Sequence, residues 1–348
     1  MDIKVEIKKF VPEIEASMQE LLPKKYNSSS ISKTSGKINY ELDLQAINGS
    51  INTPFWDLLE RGGKRWRPAL LLMTCEALGK DYKKALNLAA LVELTHNATL
   101  VADDVEDSSD ERRGKPCLHH IYGIDIAINA GNSVYFIPAM TILNSPYSSE
   151  LRNELMNVFL IEMVNVSIGQ GIDIYWHRGL KEEVSEAQYL QMAAFKTGCL
   201  SRMACRLASV HSSASKEQVD ALGDFGESIG VAFQIQDDVL NLTADEEYGK
   251  EIGGDISEGK RTLMTIHAMQ HSPKAARLKE ILNMHTKDQK LIKEAIEIIK
   301  QAGSIDHAVG IASSIVEKSW SKIDSFLPEN QGKLKLKALA EYLITRKY

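Results

Sequence analysis

The stretch Leu86–Asp107, LNLAALVELTHNATLVADDVED, is a long apolar run that ends abruptly in acids. Its apolar residues recur every three to four positions, which predicts a helix with buried faces. Asp103 and Asp107 are one turn apart, which is about 6 Å along one face at ~1.5 Å per residue. Like charges at this spacing repel, and buried carboxylates are costly unless they are paired or bind a metal. The stretch therefore predicts a buried helix with a cation-binding end.

A second acidic cluster lies at Gln234–Asn241, QIQDDVLN, where Asp237 and Asp238 also close an apolar helical run. Carboxylate oxygens that leave room for water and phosphate oxygens suit Mg²⁺. One such cluster is also compatible with a solvated acidic helix end. Two clusters, each entered from an apolar run, favour two cation-binding helix ends. Asn241 offers only an amide oxygen, so it is not counted among the metal ligands.

Helical periodicity continues over nearly the whole chain, and strand-like alternation with Gly-rich hairpins is absent. We expect an amphipathic first helix within 1–25 and a flexible Ser-rich loop over 26–39. Because no Pro/Gly linker divides the 348 residues, we expect one all-α domain over 1–348, a single large helical bundle with a central active-site cavity. Further helices are predicted over 68–79, 83–107, 118–143, 149–177, 185–211, 215–241, 260–270, 276–283, 287–302, 304–326 and 332–346.

The composition narrows the class of protein. With 47 acidic and 41 basic residues and a net charge of −6, the chain lacks the basic balance of a general nucleic-acid binder. The four cysteines have no C-x-x-C spacing, which is typical of thiols in a reducing compartment. The N-terminus lacks the apolar core of a signal peptide, and no uninterrupted apolar run reaches about 18 residues. We therefore expect a cytoplasmic protein without a membrane-spanning segment or a nucleic-acid partner.

Basic residues stand beside glycine turns and the acidic clusters. They are Arg112 and Arg113 after the first cluster, Lys64, Arg65 and Arg67 in ERGGKRWRP, Lys196 before Thr197 in FKTG, and Lys250, Lys260 and Arg261 after the second cluster. Arginine binds phosphate through two parallel hydrogen bonds, and lysine binds it as a point charge. Each residue alone is also compatible with an exposed surface charge. Together with two cation-binding helix ends, they predict a site for two polyanions.

Five motifs in this order resemble the trans-isoprenyl diphosphate synthases: GGKRWRP, HNATLVADDVEDSSDERRGKP, FKTG, FQIQDDVLN and GKEIGGDISEGKRT. The resemblance extends over about residues 55–265. The spacing of the first Asp motif, without an insertion, is similar to that of the geranylgeranyl diphosphate synthases. The resemblance implies a prenyltransferase that condenses isopentenyl diphosphate with dimethylallyl, geranyl or farnesyl diphosphate to give geranylgeranyl diphosphate.

The resemblance also assigns a role to each motif. It implies a cluster of Mg²⁺ ions on Asp103, Asp104, Asp107 and Asp237, supported by Asp238 and Asp255. The allylic diphosphate would contact Arg112, Lys196 and Lys260, and Lys250 would close over it. The isopentenyl diphosphate pocket would consist of Lys64, Arg67, His96 and Arg113. Thr197 and Gln234 would face the reacting carbons, and the departing pyrophosphate would take the proton.

The resemblance further implies an apolar tunnel for the growing product along the first acidic helix. Ala98 and Thr99 are small, so the tunnel extends past fifteen carbons. Tyr135 and Phe136 match the place of a bulky floor, although ordinary core packing is an alternative for either one. Ser167 is smaller than the floor residue expected on the next helix.

Three alternatives to the geranylgeranyl product stay open. One is the same chemistry with a farnesyl product or a product of 25 or more carbons. Another is a class I terpene cyclase, and the third is a non-catalytic synthase subunit. The resemblance also implies a homodimer or a higher homo-oligomer, formed through apolar helices such as 118–143.

Overall fold

The computed structural model describes residues 1–243 and 252–345, and this part of the chain is all-α, as predicted. The one strand pair within these ranges is an antiparallel hairpin with two residues in each strand, β1 (Glu111–Arg112) and β2 (Lys115–Pro116). The helices are α1 (Ile3–Leu21), α2 (Ser28–Ser35), α3 (Leu44–Ile47), α4 (Thr53–Glu60), α5 (Trp66–Ala77), α6 (Leu86–Glu106), α7 (Leu118–Tyr122), α8 (Ile124–Phe136), α9 (Met140–Leu143), α10 (Ser149–His177), α11 (Glu186–Ala193), α12 (Cys199–His211), α13 (Lys216–Thr243), α14 (Gly254–Ser257), α15 (Leu263–His271), α16 (Ala275–Asn283), α17 (Gln289–Gln301), α18 (Ser304–Asp324) and α19 (Gln331–Thr345).

The chain divides into two compact units. Unit 1 comprises Met1–Leu160, Ala204–Ser215 and Pro328–Leu336, and unit 2 comprises Ile161–Met203, Lys216–Leu327 and Lys337–Tyr348. A single domain over 1–348 stays a prediction.

Unit 1 is built around α6, which packs against α1, α5 and α8. Leu88–Thr95 of α6 are all buried, including the carboxylate-bearing Glu93. A helix that is buried on every side occupies the centre of a core rather than its surface. The first acidic cluster stands at the carboxyl end of this central helix, as its sequence predicted.

Unit 2 is built around α13, which packs along α18 and against the π-helical turn Ala194–Gly198. Glycines allow the second of these contacts, because a Cβ on Gly230 of α13 would lie 2.6 Å from the Cα of Gly198. The second acidic cluster lies in the last three turns of α13. Each cluster is therefore carried by the central helix of its own unit.

The predicted loop over 26–39 is wrong for its middle eight residues, because α2 spans Ser28–Ser35. Asn27 and Ser30 form a capping box in which each side chain accepts a hydrogen bond from the other's backbone N–H, at 2.9 Å. Such a cap satisfies backbone groups that otherwise lack partners at a helix start. Ser and Asn are turn formers in general, so their abundance hid a helix that begins at a cap.

Two predicted long helices are interrupted. The segment 118–143 is divided into α7, α8 and α9, with Gly123 at φ 95° between the first two. The segment 185–211 is divided into α11 and α12 by the π-helical turn Ala194–Gly198. A π turn keeps helical spacing with one extra residue, so periodicity alone does not reveal it.

Two helical stretches in the described ranges are long and apolar enough to span a membrane by length and composition. They are Ile124–Leu143 and Ser149–His177, and their most apolar windows are 39% and 28% buried. Neither stretch is an uninterrupted apolar run, since each contains scattered polar residues. The expected absence of a spanning segment stays a prediction.

Candidate functional site

In unit 1, Arg112 holds the two adjacent acids at the end of α6. The hairpin β1–β2 folds back toward the helix, and the Nε and Nη2 of Arg112 donate to Oδ1 of Asp104 at 2.7 and 2.5 Å. The same Nη2 donates to Oδ2 of Asp103 at 3.3 Å. Burial raises the pKa of Asp104, although the charge of Arg112 opposes this. Arg112 therefore binds the acidic cluster directly, and Asp107 forms the C-cap of the same helix.

The GGKRWRP segment turns sharply before α5 and carries three basic residues, Lys64, Arg65 and Arg67. Arg65 is in the left-handed region at φ 48°, and its Nη1 donates to Oε1 of the buried Glu93 at 2.7 Å. A Cβ on Gly63 would lie 3.1 Å from Nη1 of Arg65 and 3.2 Å from Nη2 of Arg113. Glycine is therefore needed where two guanidinium groups approach the backbone. Arg67 is buried near the helix start and Lys64 is exposed.

In unit 1, the charges of the predicted pocket residues Arg67 and Arg113 act on the ring of the third, His96. Burial, and after it the charges of these arginines and of Arg112 and Arg65, lower the pKa of His96 well below 6.5. Burial also lowers the pKa of Arg113 to about 10. His96 is therefore neutral at pH 7, so it contributes a hydrogen-bonding ring rather than a charge to a strongly cationic group.

Acid is expected to destabilise the protein through His96. Its folded-state pKa lies below the unfolded value of 6.5, so the unfolded chain binds the proton first and the free energy of unfolding falls as pH drops below that value. We expect the Tm loss between about pH 7.5 and about pH 5.5 to be smaller in His96→Asn than in the wild type. Thermal melts measure this, with His285→Asn, at an exposed histidine, as the control. Equal losses in all three proteins would contradict it.

In unit 2, the π-helical turn Ala194–Gly198 presents the predicted pair Lys196 and Thr197. The Nζ of Lys196 donates to Oδ2 of Asp173 on α10 at 2.5 Å. The hydroxyl of Thr197 donates to Oε1 of Gln234 on α13 at 2.8 Å. A π turn inserted between α-helices is frequently found at functional sites, because it changes the direction of side chains locally.

A pocket in unit 2 collects these side chains. Its predicted members are Lys196, Thr197, Gln234, Asp238, Lys260 and Arg261, and it is also lined by Asp173, Tyr189, Met192 and Thr262. The pocket thus combines two lysines with two buried carboxylates, and an anion entering it would meet both lysines. Asp237, the neighbouring acid on α13, is partly exposed.

Asn241 organises the segment that follows the second acidic cluster. Its Oδ1 accepts a hydrogen bond from the backbone N–H of Asp255 at 3.2 Å, and its backbone carbonyl accepts from Gly253 at 2.9 Å. Lys260 lies 3.7 Å from Oδ1 of Asp255 and also pairs with Glu258. Asn241 therefore supports the loop that carries Asp255 and Lys260. Lys250 lies outside the described residues.

Four of the side chains that organise these sites were not identified from the sequence. Asp173 and Tyr189 bind predicted site residues, and Glu93 binds Arg65. Arg61 donates to the carbonyls of Arg112 and Pro116 at 3.1 and 2.9 Å and so fixes the hairpin. Glu93 gave a signal, because it interrupts an apolar run. The other three gave none, since their partners are far away in sequence.

The residues predicted to control chain length differ in burial. Ala98 is buried in α6. A Cβ added to Gly131 of α8 would lie 3.5 Å from the carbonyl oxygen of Ala98. Tyr135 is partly buried, and its burial and the charges of Glu106 and Asp103 raise its pKa to about 12. Thr99 is partly buried. Phe136 is 71% exposed and Ser167 is exposed, so these two form a floor only where another surface covers them.

No group of three His, Cys, Asp or Glu side chains in residues 1–243 and 252–345 forms a ready-made metal site. Mg²⁺ seldom uses such an all-protein cage, because it keeps several waters and is bound through one or two carboxylates plus substrate phosphates. The oxygen-only pair Asp103 and Asp104 fits that mode of binding. Arg112 is the group that would have to share these oxygens with a cation.

Comparison with known proteins gives consistent matches over most of the chain. A family model described as polyprenyl synthetase matches residues 48–299. The geranylgeranyl diphosphate synthase of Methanosarcina mazei is 35% identical over 296 residues, which cover 84% of this chain and 88% of that protein. The geranylfarnesyl diphosphate synthase of Natronomonas pharaonis is 32% identical over 308 residues, with 84% and 88% covered.

A solved structure matches the whole fold. The crystal structure of geranylgeranyl pyrophosphate synthetase from Pyrococcus horikoshii has a TM-score of 0.86 to this chain at 29% identity, and the match covers 99% of both chains. The segment matched by the family model includes both acidic clusters and every predicted anion-binding residue.

Proposed function

This chain belongs to the polyprenyl synthetase family and is a trans-prenyltransferase; from that premise we propose that it condenses isopentenyl diphosphate with allylic diphosphates, up to farnesyl diphosphate, to give geranylgeranyl diphosphate. The observation that carries the proposal is that each unit presents carboxylates beside cations: Asp103 and Asp104 with Arg112 in unit 1, and Asp173 with Lys196 in unit 2. Diphosphates bound with Mg²⁺ need both kinds of group.

We assign the Mg²⁺ ligands to Asp103, Asp104 and Asp107 of the first cluster and to Asp237 of the second. Bound Mg²⁺ would supply charge stabilisation for a departing diphosphate. In unit 1, Arg112 orients the two adjacent carboxylates through its three hydrogen bonds.

The anion-binding residues divide between the two substrates. We assign isopentenyl diphosphate to Lys64, Arg67, His96 and Arg113 in unit 1. The allylic diphosphate is assigned to Lys196 and Lys260 of unit 2. A hydrogen bond to Asp173 holds the ammonium group of Lys196 in place. An incoming diphosphate, which carries more negative charge than a carboxylate, would replace Asp173 as the partner of this group.

The reaction breaks the C1–O bond of the allylic diphosphate, and the electron pair leaves with pyrophosphate. The alkene of isopentenyl diphosphate then attacks C1, and the resulting tertiary cation loses a proton to the departing pyrophosphate. The hydroxyl oxygen of Thr197 and the amide oxygen of Gln234 would stabilise the positive carbon by their negative ends.

The expected product has twenty carbons, because Ala98 and Thr99 have small side chains and Tyr135 has a bulky one. Incubation with Mg²⁺, farnesyl diphosphate and radiolabelled isopentenyl diphosphate, with products separated by chain length, tests this. One twenty-carbon product, absent when EDTA removes the metal, is the expected result. Products of 25 or more carbons would support the longer-chain alternative, for which the geranylfarnesyl diphosphate synthase relative is a precedent. Release of a cyclic hydrocarbon would indicate a cyclase. Turnover of dimethylallyl or geranyl diphosphate but not of farnesyl diphosphate would indicate a farnesyl product, and no turnover of any of the three would indicate a non-catalytic subunit.

We further propose a homodimer, in which a second copy covers the apolar side chains that α8 and α10 expose. Ile124, Ile128 and Phe136 are exposed on α8, and Leu160, Ile161, Val164 and Ile168 on α10. Such apolar faces are typical of interfaces rather than free surface. Sedimentation equilibrium is expected to give the dimer mass for the wild type and a monomer for Ile128→Glu. Leu334→Glu, at an exposed leucine on α19, is the matched control. A monomeric wild type would contradict the proposal.

The protein is proposed to be cytoplasmic and to bind no nucleic acid. Four free cysteines, Cys75, Cys117, Cys199 and Cys205, are all buried, and burial raises the pKa of Cys75, Cys117 and Cys205 to about 12. Unreactive free thiols suit a reducing compartment. A fluorescent fusion found outside the cytoplasm would contradict this assignment.

A further inference from the structure

Tyr189 is a buried residue of unit 2 that no motif of the sequence includes. It lies in the first turn of α11, whose start is fixed by a capping box between Ser185 and Gln188. Its side chain is 1% exposed, and its hydroxyl donates to Oδ2 of Asp238 at 2.7 Å. The hydroxyl of a buried tyrosine usually finds a hydrogen-bond partner, and here that partner is a carboxylate oxygen.

Asp238 is in turn the anchor for the amide of Gln234. The other oxygen of Asp238, Oδ1, accepts from Nε2 of Gln234 at 2.8 Å, one turn earlier on α13. This contact fixes which way the amide faces, because a flipped amide would place its oxygen against the carboxylate. The amide oxygen of Gln234 is thereby directed to the other side, where it accepts from the hydroxyl of Thr197 at 2.8 Å.

These three hydrogen bonds form one network that converges on the carboxylate of Asp238. Tyr189 donates to Asp238, Gln234 donates to Asp238, and Thr197 donates to Gln234. All four side chains line the same pocket as Lys196. The Nζ of Lys196 donates to Asp173, a carboxylate outside these three hydrogen bonds.

We propose that Tyr189 is a positioning residue for prenyl transfer, which fixes the Asp238 carboxylate and through it the amide of Gln234 and the hydroxyl of Thr197. The inference rests on the proposed function, because it assigns the oxygens of Gln234 and Thr197 to the positive carbon of the allylic substrate. Dipoles act on that carbon only when charge develops, so their misorientation slows the chemical step more than it weakens substrate binding.

The primary test is Tyr189→Phe, which removes the hydroxyl and keeps the ring. We expect kcat to fall about tenfold, less than the effect of removing a direct contact, while KM for farnesyl diphosphate changes less than about threefold. Tyr122→Phe is the matched control, because the Tyr122 hydroxyl also donates to a carboxylate, Asp57, at 3.1 Å, but in unit 1. The control is expected to keep kcat within about twofold of the wild type.

A double-mutant cycle with Gln234→Ala separates positioning from general structural support. If Tyr189 acts through Gln234, adding Tyr189→Phe to Gln234→Ala costs almost nothing more, so the two effects are strongly non-additive. Multiplicative effects, or a wild-type kcat in Tyr189→Phe, would overturn the inference. Loss of condensation in the wild type itself would instead overturn the proposed function, so the two failures are distinguishable. Thermal melts confirm that each variant is folded before its kinetics are compared.

Discussion

Asp103→Ala is expected to lower kcat about 10²- to 10³-fold, because it removes an oxygen ligand for the cation that stabilises the departing diphosphate. Asp103 is partly exposed at the end of α6 and its Oδ2 accepts from Arg112 at 3.3 Å. Arg112 keeps its two shorter hydrogen bonds to Asp104, so the hairpin is expected to stay in place. Far-UV circular dichroism and the Tm should therefore remain close to wild type while turnover is lost.

The control for this variant is Asp110→Ala. Asp110 is an exposed acid of the same segment, so its removal tests whether any loss of negative charge near the hairpin lowers turnover. We expect Asp110→Ala to keep kcat within about twofold of the wild type. Near-normal turnover in Asp103→Ala, or equal losses in both variants, would contradict the assignment of Asp103 as a metal ligand. A higher Mg²⁺ requirement in Asp103→Ala alone would support it.

The sequence predicted the two central helices well, because both signals are local. In α6 and α13 the apolar residues repeat with helical spacing, and each run ends in adjacent aspartates. The predicted start of α6 at residue 83 was early by three residues, since a 3₁₀ turn over Tyr82–Ala85 precedes it. Such boundaries depend on capping hydrogen bonds, which periodicity does not contain.

The side chains that hold the site in place could not be predicted in the same way. Tyr189 and Asp238 are 49 positions apart, and Arg65 and Glu93 are 28 apart. Tyr189 gives no signal in the local sequence and Glu93 gives one only by interrupting an apolar run, because tertiary packing alone brings the partners together. The sequence therefore offers candidates for substrate and metal binding, whereas most of the residues that orient them are found only in the structure.

The π-helical turn Ala194–Gly198 is the clearest example of a feature hidden by helical periodicity. It lies against α10 at Gly169, where an added Cβ would be 2.2 Å from the backbone N of Lys196 and 2.6 Å from the carbonyl carbon of Phe195. Asp173 stands one turn further along α10, on the same face, and binds the side chain of Lys196. One face of α10 thus contacts both the backbone and the ammonium group of Lys196.

Gly169→Ala is therefore expected to displace Lys196. The clash is with backbone atoms, which cannot rotate away as a side chain can, so the turn or α10 has to move. A shift of about 1 Å at a substrate-binding group can cost about 10²-fold in rate. We expect kcat/KM for farnesyl diphosphate to fall about 10²-fold, and the variant to be destabilised by about 1–3 kcal/mol in urea unfolding.

Gly171→Ala supplies a control on the same helix. Nothing lies within 4 Å of a Cβ added to Gly171, and alanine is favoured over glycine in a helix by about 1 kcal/mol. We therefore expect Gly171→Ala to be as active as the wild type and slightly more stable. The two variants make the same chemical change two residues apart, so helix propensity acts equally on both and only the contact with Lys196 differs. If Gly169→Ala kept wild-type kinetics, or if Gly171→Ala lost activity to the same extent, the close approach of α10 to the π turn would not be what holds Lys196 in position.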